Sequence, residues 1–364
     1  VQPNKGTGLG CATFLAVLLL AAAAFPQTLV RTEVPAPADQ LNHAPGLIEL
    51  ASGALLLCWY SATAEAHADA RILCARSEDA GAHWSPPRLA VPPEDRARNA
   101  PAPNKSLGNV VLHRDSRGRL WMIHGVIQRW DVPPLGNLCR NWLCGRVDAR
   151  LSTDGGATWS AAWRLDDSTG ALPRNRVLRH PTLGDLLPLY REGARTAHLL
   201  PLDLAGDTPS PGPPLPIPAE DAVQPALVLQ PDGRIRAYLR DLAATAIRTT
   251  LLDPATRAWT APVPTTLPNP NAAIEAFLAW DRIVLLHNPS HWNRRALRFA
   301  SSSDGVHFTP GCDLVPDSAE GDVAYPIAIR ATDGTYHIAY SAAGKRRIRH
   351  ARFDAAWLAH CLAP

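Results

Sequence analysis

Residues 232–241 read DGRIRAYLRD, a turn pair followed by a short β-prone run, and the same phrase returns five times elsewhere in the chain. The other copies are SGALLLCWY (52–60), RGRLWMIHG (117–125), LGDLLPLYRE (183–192), WDRIVLLHN (280–288) and DGTYHIAYS (333–341). The turn glycine falls at Gly53, Gly118, Gly184, Gly233 and Gly334, with Asp281 in the equivalent place of the fifth copy. Successive copies lie 65, 66, 49, 48 and 53 residues apart, close to the length of a four-stranded blade with its loops. Six such units predict an all-β fold, a six-bladed β-propeller of four-stranded antiparallel blades.

The rest of the chain agrees. Short runs rich in Val, Ile, Leu, Tyr and Trp recur between Pro, Gly and Asp clusters, and the 35 prolines would break most helices. The 364 residues are 46% hydrophobic with a formal charge of +3, the balance of a globular protein. Basic and acidic residues are interspersed, and GKRRIRH (344–350) is too short for a phosphate-binding stripe, so no nucleic-acid partner is expected.

The chain opens with VQPNKGTGLG and the fifteen uncharged residues CATFLAVLLLAAAAF (11–25), ending in small side chains near Ala22–Ala24. Residues 1–26 therefore read as a secretory signal, or as an N-terminal membrane anchor if the segment stays uncut. Fifteen residues make a helix of about 22 Å, short of the ~30 Å hydrocarbon core, which favours cleavage. The body, residues 27–360, is expected in the periplasm or secreted, or tethered to the membrane by that segment. Six further cysteines, Cys58, Cys74, Cys139, Cys144, Cys312 and Cys361, are an even number in a compartment that permits disulfides. Cys139 and Cys144 could close a small loop, and Cys58 and Cys74 are either bridged or buried on neighbouring strands. Nothing in their spacing suggests zinc, and no metal or cofactor is expected.

Two stretches share a second pattern: SEDAGAHWS (77–85) and STDGGATWS (152–160). In Ser-x-Asp-x-Gly-x-x-Trp the carboxylate can accept backbone N–H groups of its own turn, Gly supplies a positive φ and Trp packs the hairpin onto its blade. SSDGVHF (302–308) is a shorter third copy with Phe308 for Trp, and LDPATRAW (252–259) a fourth that lacks the Gly. Asp79, Asp154 and Asp304 are therefore read as hairpin clasps.

Such clasps are the Asp boxes, or BNR repeats, of the sialidase superfamily, here at 77–84, 152–159 and 302–308. From about His43 to His350 the chain resembles the bacterial sialidase-like branch, through HAPGLIELASGALLLCWY, VDARLSTDGGATWS, VQPALVLQPDGRIRAYLRD, TTLPNPNAAIEAFLAW and AYPIAIRATDGTYHIAYS. The resemblance implies three arginines on a substrate carboxylate, a Tyr nucleophile activated by a Glu, and an Asp acid. Tyr suits an anionic sugar because a neutral phenol is not repelled as a carboxylate would be, and guanidinium forks bind a carboxylate bidentately.

Carried onto this chain, the resemblance puts Arg240 and Arg294 at the second and third arginine, with Arg295 as the alternative to Arg294. Tyr325 falls at the nucleophile and Asp69 in the acid-bearing loop of the first blade, with Glu65 and His67 as competitors. A free Asp titrates near 4, so acid catalysis at neutral pH would need burial or a like-charged neighbour such as Glu65. Two positions depart. His43 stands where the first arginine belongs, and Gln224 where the family has Glu. Gln cannot accept the phenolic proton, so Glu220, Asp221 or Asp322 would have to supply the base, or the pocket does not run the sialidase mechanism.

Strand starts on one propeller face should bring His43, Asn109, Asn175, Gln224, Asn271 and Tyr325 together near the axis, with Arg174, Arg176 and Glu275 close by. That ring suits a hydroxylated anionic ligand bound by Arg240, Arg294, His43, Gln224 and Asn271, and it lacks a Gly-rich phosphate loop. The expected function is an exported exo-α-sialidase-like glycoside hydrolase acting, as a monomer, on glycans that end in sialic acid or another acidic sugar. The alternatives are a glycan-binding propeller without turnover and an assembly scaffold.

Overall fold

A computed structural model describes Val1 and residues 28–317 and 320–363. Six antiparallel sheets form the blades of a propeller. The leader read at residues 1–26 lies, apart from Val1, outside the described residues. No helix among the described residues is long and apolar enough to cross a membrane.

Each blade is laid down from one edge outward. Blade one comprises Leu41–Glu49, Leu55–Ala62, Arg71–Ser77 and Arg88–Val91, and blades two to six begin with Asn104–Arg114, Ala171–Pro173, Ala222–Leu229, Glu275–Ala279 and Ala324–Arg330. The sixth blade takes its outermost strand from the other end of the chain: Val30–Val34 pairs antiparallel with Arg347–Phe353, Val30 opposite Arg352. This closure, which ties both ends of the fold into one sheet, has no turn signature in the sequence.

Each pair of neighbouring blades shares an apolar cluster. Leu56, Ile72, Val110 and Met122 join blades one and two, and Leu47, Trp59, Ile327 and Ile348 join blades six and one. Sheets covered on both faces lose the apolar–polar alternation of a half-exposed strand. Leu55–Ala62 is accordingly buried at every position. Blades three and four depart from four strands because their outer strands are broken, into Ser210–Pro211 with Leu215–Ile217 and Ala258–Trp259 with Val263–Pro268, and in blade three the inner strand is broken as well, into Ala171–Pro173 and Leu178–His180. Proline lacks an N–H for the ladder and is tolerated at such edges.

The turn glycines have φ of 84° (Gly53), 79° (Gly118), 74° (Gly184), 83° (Gly233) and 90° (Gly334). A Cβ at the first four would meet nothing within 4 Å, so the backbone angle and not crowding demands glycine. In blade five the turn is tighter, with Ala279 paired to Arg282, and the left-handed residue is Trp280 at φ 54°, one place before Asp281.

The Asp boxes join third and fourth strands, on the face opposite the strand starts. In the second, Asp154 accepts from Thr158 N at 2.9 Å while Ser152 Oγ donates to Asp154 and accepts Gly156 N, both at 2.8 Å. Asp79 and Asp304 are bound in the same way by His83 N and His307 N. Bridges join Cys58–Cys74, Cys139–Cys144 and Cys312–Cys361, the last tying blade five to the terminal helix Ala355–Cys361.

Candidate functional site

The site is built from irregular strand starts. In blades one, four and six the inner strand bulges: the register jumps between His43 and Gly46, Val223 and Ala226, and Ala324 and Ile327. Each bulge holds a non-glycine residue in the left-handed region directly before a proline, Ala44 at φ 52°, Gln224 at 53° and Tyr325 at 58°. Such backbone costs about 1–3 kcal/mol per residue and persists where the surroundings enforce it. Here it frees two side chains from their ladders to meet across the axis, Gln224 from blade four and Tyr325 from blade six.

Gln224 Nε2 donates to the phenol oxygens of Tyr325 and Tyr190, each at 3.2 Å. Arg240, at the end of the second strand of blade four, donates through Nη1 to Gln224 Oε1 and to Tyr325 Oη, both at 3.1 Å, and through Nε to Asn271 Oδ1 at 2.6 Å. Arg294 donates to the Asn271 carbonyl, and Asn175 Nδ2 to the Gln224 carbonyl at 3.0 Å. Arg295 turns to Asp317 at 3.0 Å, which leaves Arg294 at the position expected for it.

Arg174 reaches the same centre from below. Its Cζ lies 4.8 Å from the Tyr325 ring centroid and its Nη2 donates to the Pro326 carbonyl at 2.8 Å. The side chain is 1% exposed, and its Nε and Nη1 have no hydrogen-bond partner. Among the described residues, none of Arg174, Arg240 and Arg294 has a carboxylate partner within 4.0 Å. Arg176 is spent on Glu275, Nη2 to Oε1 at 3.0 Å, and Glu275 also accepts Ala276 N and Ala328 N.

His43 is 2% exposed, bonds Ser341 Oγ through Nδ1 at 2.8 Å and packs 4.2 Å from the Tyr325 ring. Burial, then Lys345, Arg174, Arg294 and Arg240, hold its pKa well below the ordinary imidazole value. It is a neutral wall behind the tyrosine, not a cation for a carboxylate. For Tyr325 burial works upward, but Arg240, the Gln224 hydrogen bond, Arg294 and Lys345 outweigh it and bring the phenol below its ordinary value. Tyr190 is raised, by burial and by Tyr325.

The expected acid and base groups are elsewhere engaged. Asp69 accepts Thr63 N at 3.1 Å and His67 Nδ1 at 2.6 Å, clasping its own loop. Although burial works against it, the bonds from Thr63 and His67 keep its carboxyl below the usual range, so it is ionised at neutral pH. Glu65 bonds Trp142 Nε1 at 3.2 Å and Lys345 Nζ at 2.9 Å. None of Glu220, Asp221 and Asp322 bonds Tyr325; Asp221 pairs with Arg195 at 2.6 Å. Glu192, two residues past Tyr190, is exposed. Desolvation raises its pKa, Arg240 pulls it back and Glu65 adds to the rise.

Tyr190 and Glu192 are absent from the sequence-based expectation, and Arg174, expected close to the axis, is found against the Tyr325 ring. One signal was available for the first two. Seven residues past the turn position stand Tyr60, Gly125, Arg191, Arg240, Asn288 and Ser341, at or near the ends of second strands on the site face, with Arg191 lying between Tyr190 and Glu192. LYRE ends the corresponding strand of blade three. A cavity of about 340 Å³ between blades one and two, on the Asp-box face, is lined by Leu56, Trp159 and the paired Arg76 and Glu78, and holds no comparable set of unpaired cations. No group of three or more His, Cys, Asp or Glu that could hold a metal occurs among the described residues.

Comparison with solved structures places the architecture. The Hadza microbial sialidase Hz136 superposes with a TM-score of 0.66 at 19% identity, over 87% of this chain and 66% of its own. The intramolecular trans-sialidase of Ruminococcus gnavus, solved with oseltamivir carboxylate, gives 0.68 at 13% identity over 89% and 96%. The α-L-arabinanase of Penicillium chrysogenum, solved with arabinobiose, gives 0.58 at 15% over 90% and 98%. At these identities the likeness is one of fold. No curated protein matches the chain in sequence. The BNR repeat-like domain family matches residues 53–338, from the first turn, at Gly53, to just past the sixth, at Gly334, and the chain therefore belongs to that family.

Proposed function

We propose that this protein is an exported exo-glycoside hydrolase that removes a terminal acidic sugar, sialic acid or an analogue, from glycans. The observation that carries the reading is the set of guanidinium groups around Tyr325 without carboxylate partners. Buried cations are ordinarily paired, so a site that leaves them unpaired is built for an anionic ligand. Three disulfides support a working place outside the reducing cytoplasm.

Arg240 and Arg294 would take the sugar carboxylate through their remaining N–H groups, with Asn271 fixing both. Arg174 is too buried to touch ligand and acts on Tyr325. As the glycosidic C–O bond breaks, the Tyr325 oxygen, its proton given up to water, forms a bond to the anomeric carbon and the leaving oxygen takes a proton from a carboxylic acid. Glu192 suits that donation better than Asp69, because its carboxyl is raised and Asp69 is held low by its own loop. Water then attacks the anomeric carbon, giving its proton to the Glu192 carboxylate and releasing Tyr325.

The test is turnover on fluorogenic α-linked sialic acid, its deaminated analogue and uronides, with Tyr325→Phe beside the wild type. Release of one that vanishes in the variant supports the hydrolase and names the sugar. Gln224 in place of a base favours a second reading, a glycan-binding propeller. That reading predicts saturable binding of the same sugars with no release by the folded protein.

A further inference from the structure

Arg240 fixes which way the Gln224 amide points. A guanidinium only donates, so the atom 3.1 Å from Arg240 Nη1 must be the amide oxygen, and the nitrogen faces the phenols. That nitrogen carries two hydrogens, and Tyr325 and Tyr190 each stand at 3.2 Å to take one. Tyr325 Oη thus accepts from Gln224 and from Arg240, and no acceptor for its own proton lies within hydrogen-bond distance among the described residues. A phenol surrounded by donors alone is matched to its anion.

We propose that Gln224 is a hydrogen-bond donor which, with Arg240 at the phenol oxygen and Arg174 against the ring face, lets Tyr325 lose its proton to solvent water and wait as the phenolate, so that no partner base is needed. The proposal deepens the hydrolase reading and rests on it for its catalytic meaning. In a site with Glu here, the carboxylate would accept the phenolic proton when substrate is attacked. With Gln, the O–H bond breaks beforehand and the proton leaves as hydronium.

The surroundings decide which of the two phenols ionises. Facing Tyr325 are Arg174 from blade three, Arg240 from blade four, and Arg294 and Lys345, both close enough to favour the anion. His43 from blade one is neutral, and Tyr60 beside it is buried and raised. Tyr190 receives the second Gln224 hydrogen and a longer bond from Asn109 Nδ2 at 3.4 Å, with no cation at its oxygen. It remains the neutral partner.

The experiment is a pH titration of tyrosinate absorbance on the intact protein without substrate, for wild type, Tyr325→Phe, Gln224→Glu and Gln224→Met. One of the six tyrosines should ionise at least about one pH unit before the others and be missing in Tyr325→Phe. Gln224→Glu, which puts a like charge at the oxygen, should raise that midpoint by more than about one unit. Gln224→Met removes the donor without adding charge and should raise it less, so a misfolded Glu variant does not end the test. An early-ionising tyrosine that survives in Tyr325→Phe, or a midpoint unmoved by either folded Gln224 variant, overturns the proposal. The titration reads the phenol alone, so failure to cleave any glycoside would sink the hydrolase reading without altering this result.

Discussion

The guanidinium of Arg174 lies 4.8 Å from the ring centroid of Tyr325, and it is 1% exposed. The cation therefore acts on the tyrosine and not on a ligand. A desolvated cation–π contact contributes about 2 kcal/mol. Arg174→Met should lower kcat by roughly 30-fold while leaving KM nearly unchanged, measured by steady-state kinetics on the acidic glycoside that the panel identifies.

Arg294 gives the opposite split. Among the described residues its side chain bonds only the Asn271 carbonyl, and its remaining N–H groups are left for a carboxylate. Losing one charge-assisted interaction of about 1.5–3 kcal/mol should raise KM of Arg294→Ala by roughly ten- to a hundredfold, with a smaller effect on kcat. The same variant should bind the methyl ester of the sugar as well as wild type does, as read by calorimetry.

Asp-box variants should separate folding from function. Ser152 is 3% exposed, and its hydroxyl both donates to Asp154 and accepts Gly156 N. Ser152→Ala should cost about 1–2 kcal/mol, a Tm loss of a few degrees, with kcat/KM intact. A thermal scan and an activity assay on the same sample check it.

Acid should destabilise the fold early. Burial lowers the pKa of His124 and His350 to about 3 and of His287 and His337 to about 4. The unfolded chain binds protons at these residues near pH 6.5, where the native state does not. Stability is therefore full above that value and falls as pH drops toward 4, by up to about 1.4 kcal/mol per pH unit for each histidine. Urea midpoints between pH 7 and pH 4.5 should fall steeply, and a flat profile would show these histidines paired differently.

The propeller was legible because its constraints are local. Five turns need a positive φ, and glycine meets it visibly, at Gly53 and Gly233 for example. Blade five hides the same need behind Trp280. The closing strand Val30–Val34 was not readable, since its partner Arg347–Phe353 is more than three hundred residues away. Within the site, the resemblance to the sialidases marked Gln224, Tyr325 and Arg240. The contact of Arg174 with the Tyr325 ring arises where separate blades meet at the axis, which no spacing within one strand records.

The most direct test is covalent trapping. A fluorinated analogue of the cleaved acidic sugar, carrying a good leaving group, should load the nucleophile faster than water releases it. Peptide mass spectrometry of the intact enzyme should then place one sugar on the peptide containing Tyr325 and none in Tyr325→Phe. Binding of the analogue with no adduct, or an adduct on another residue, would contradict Tyr325 as the attacking group.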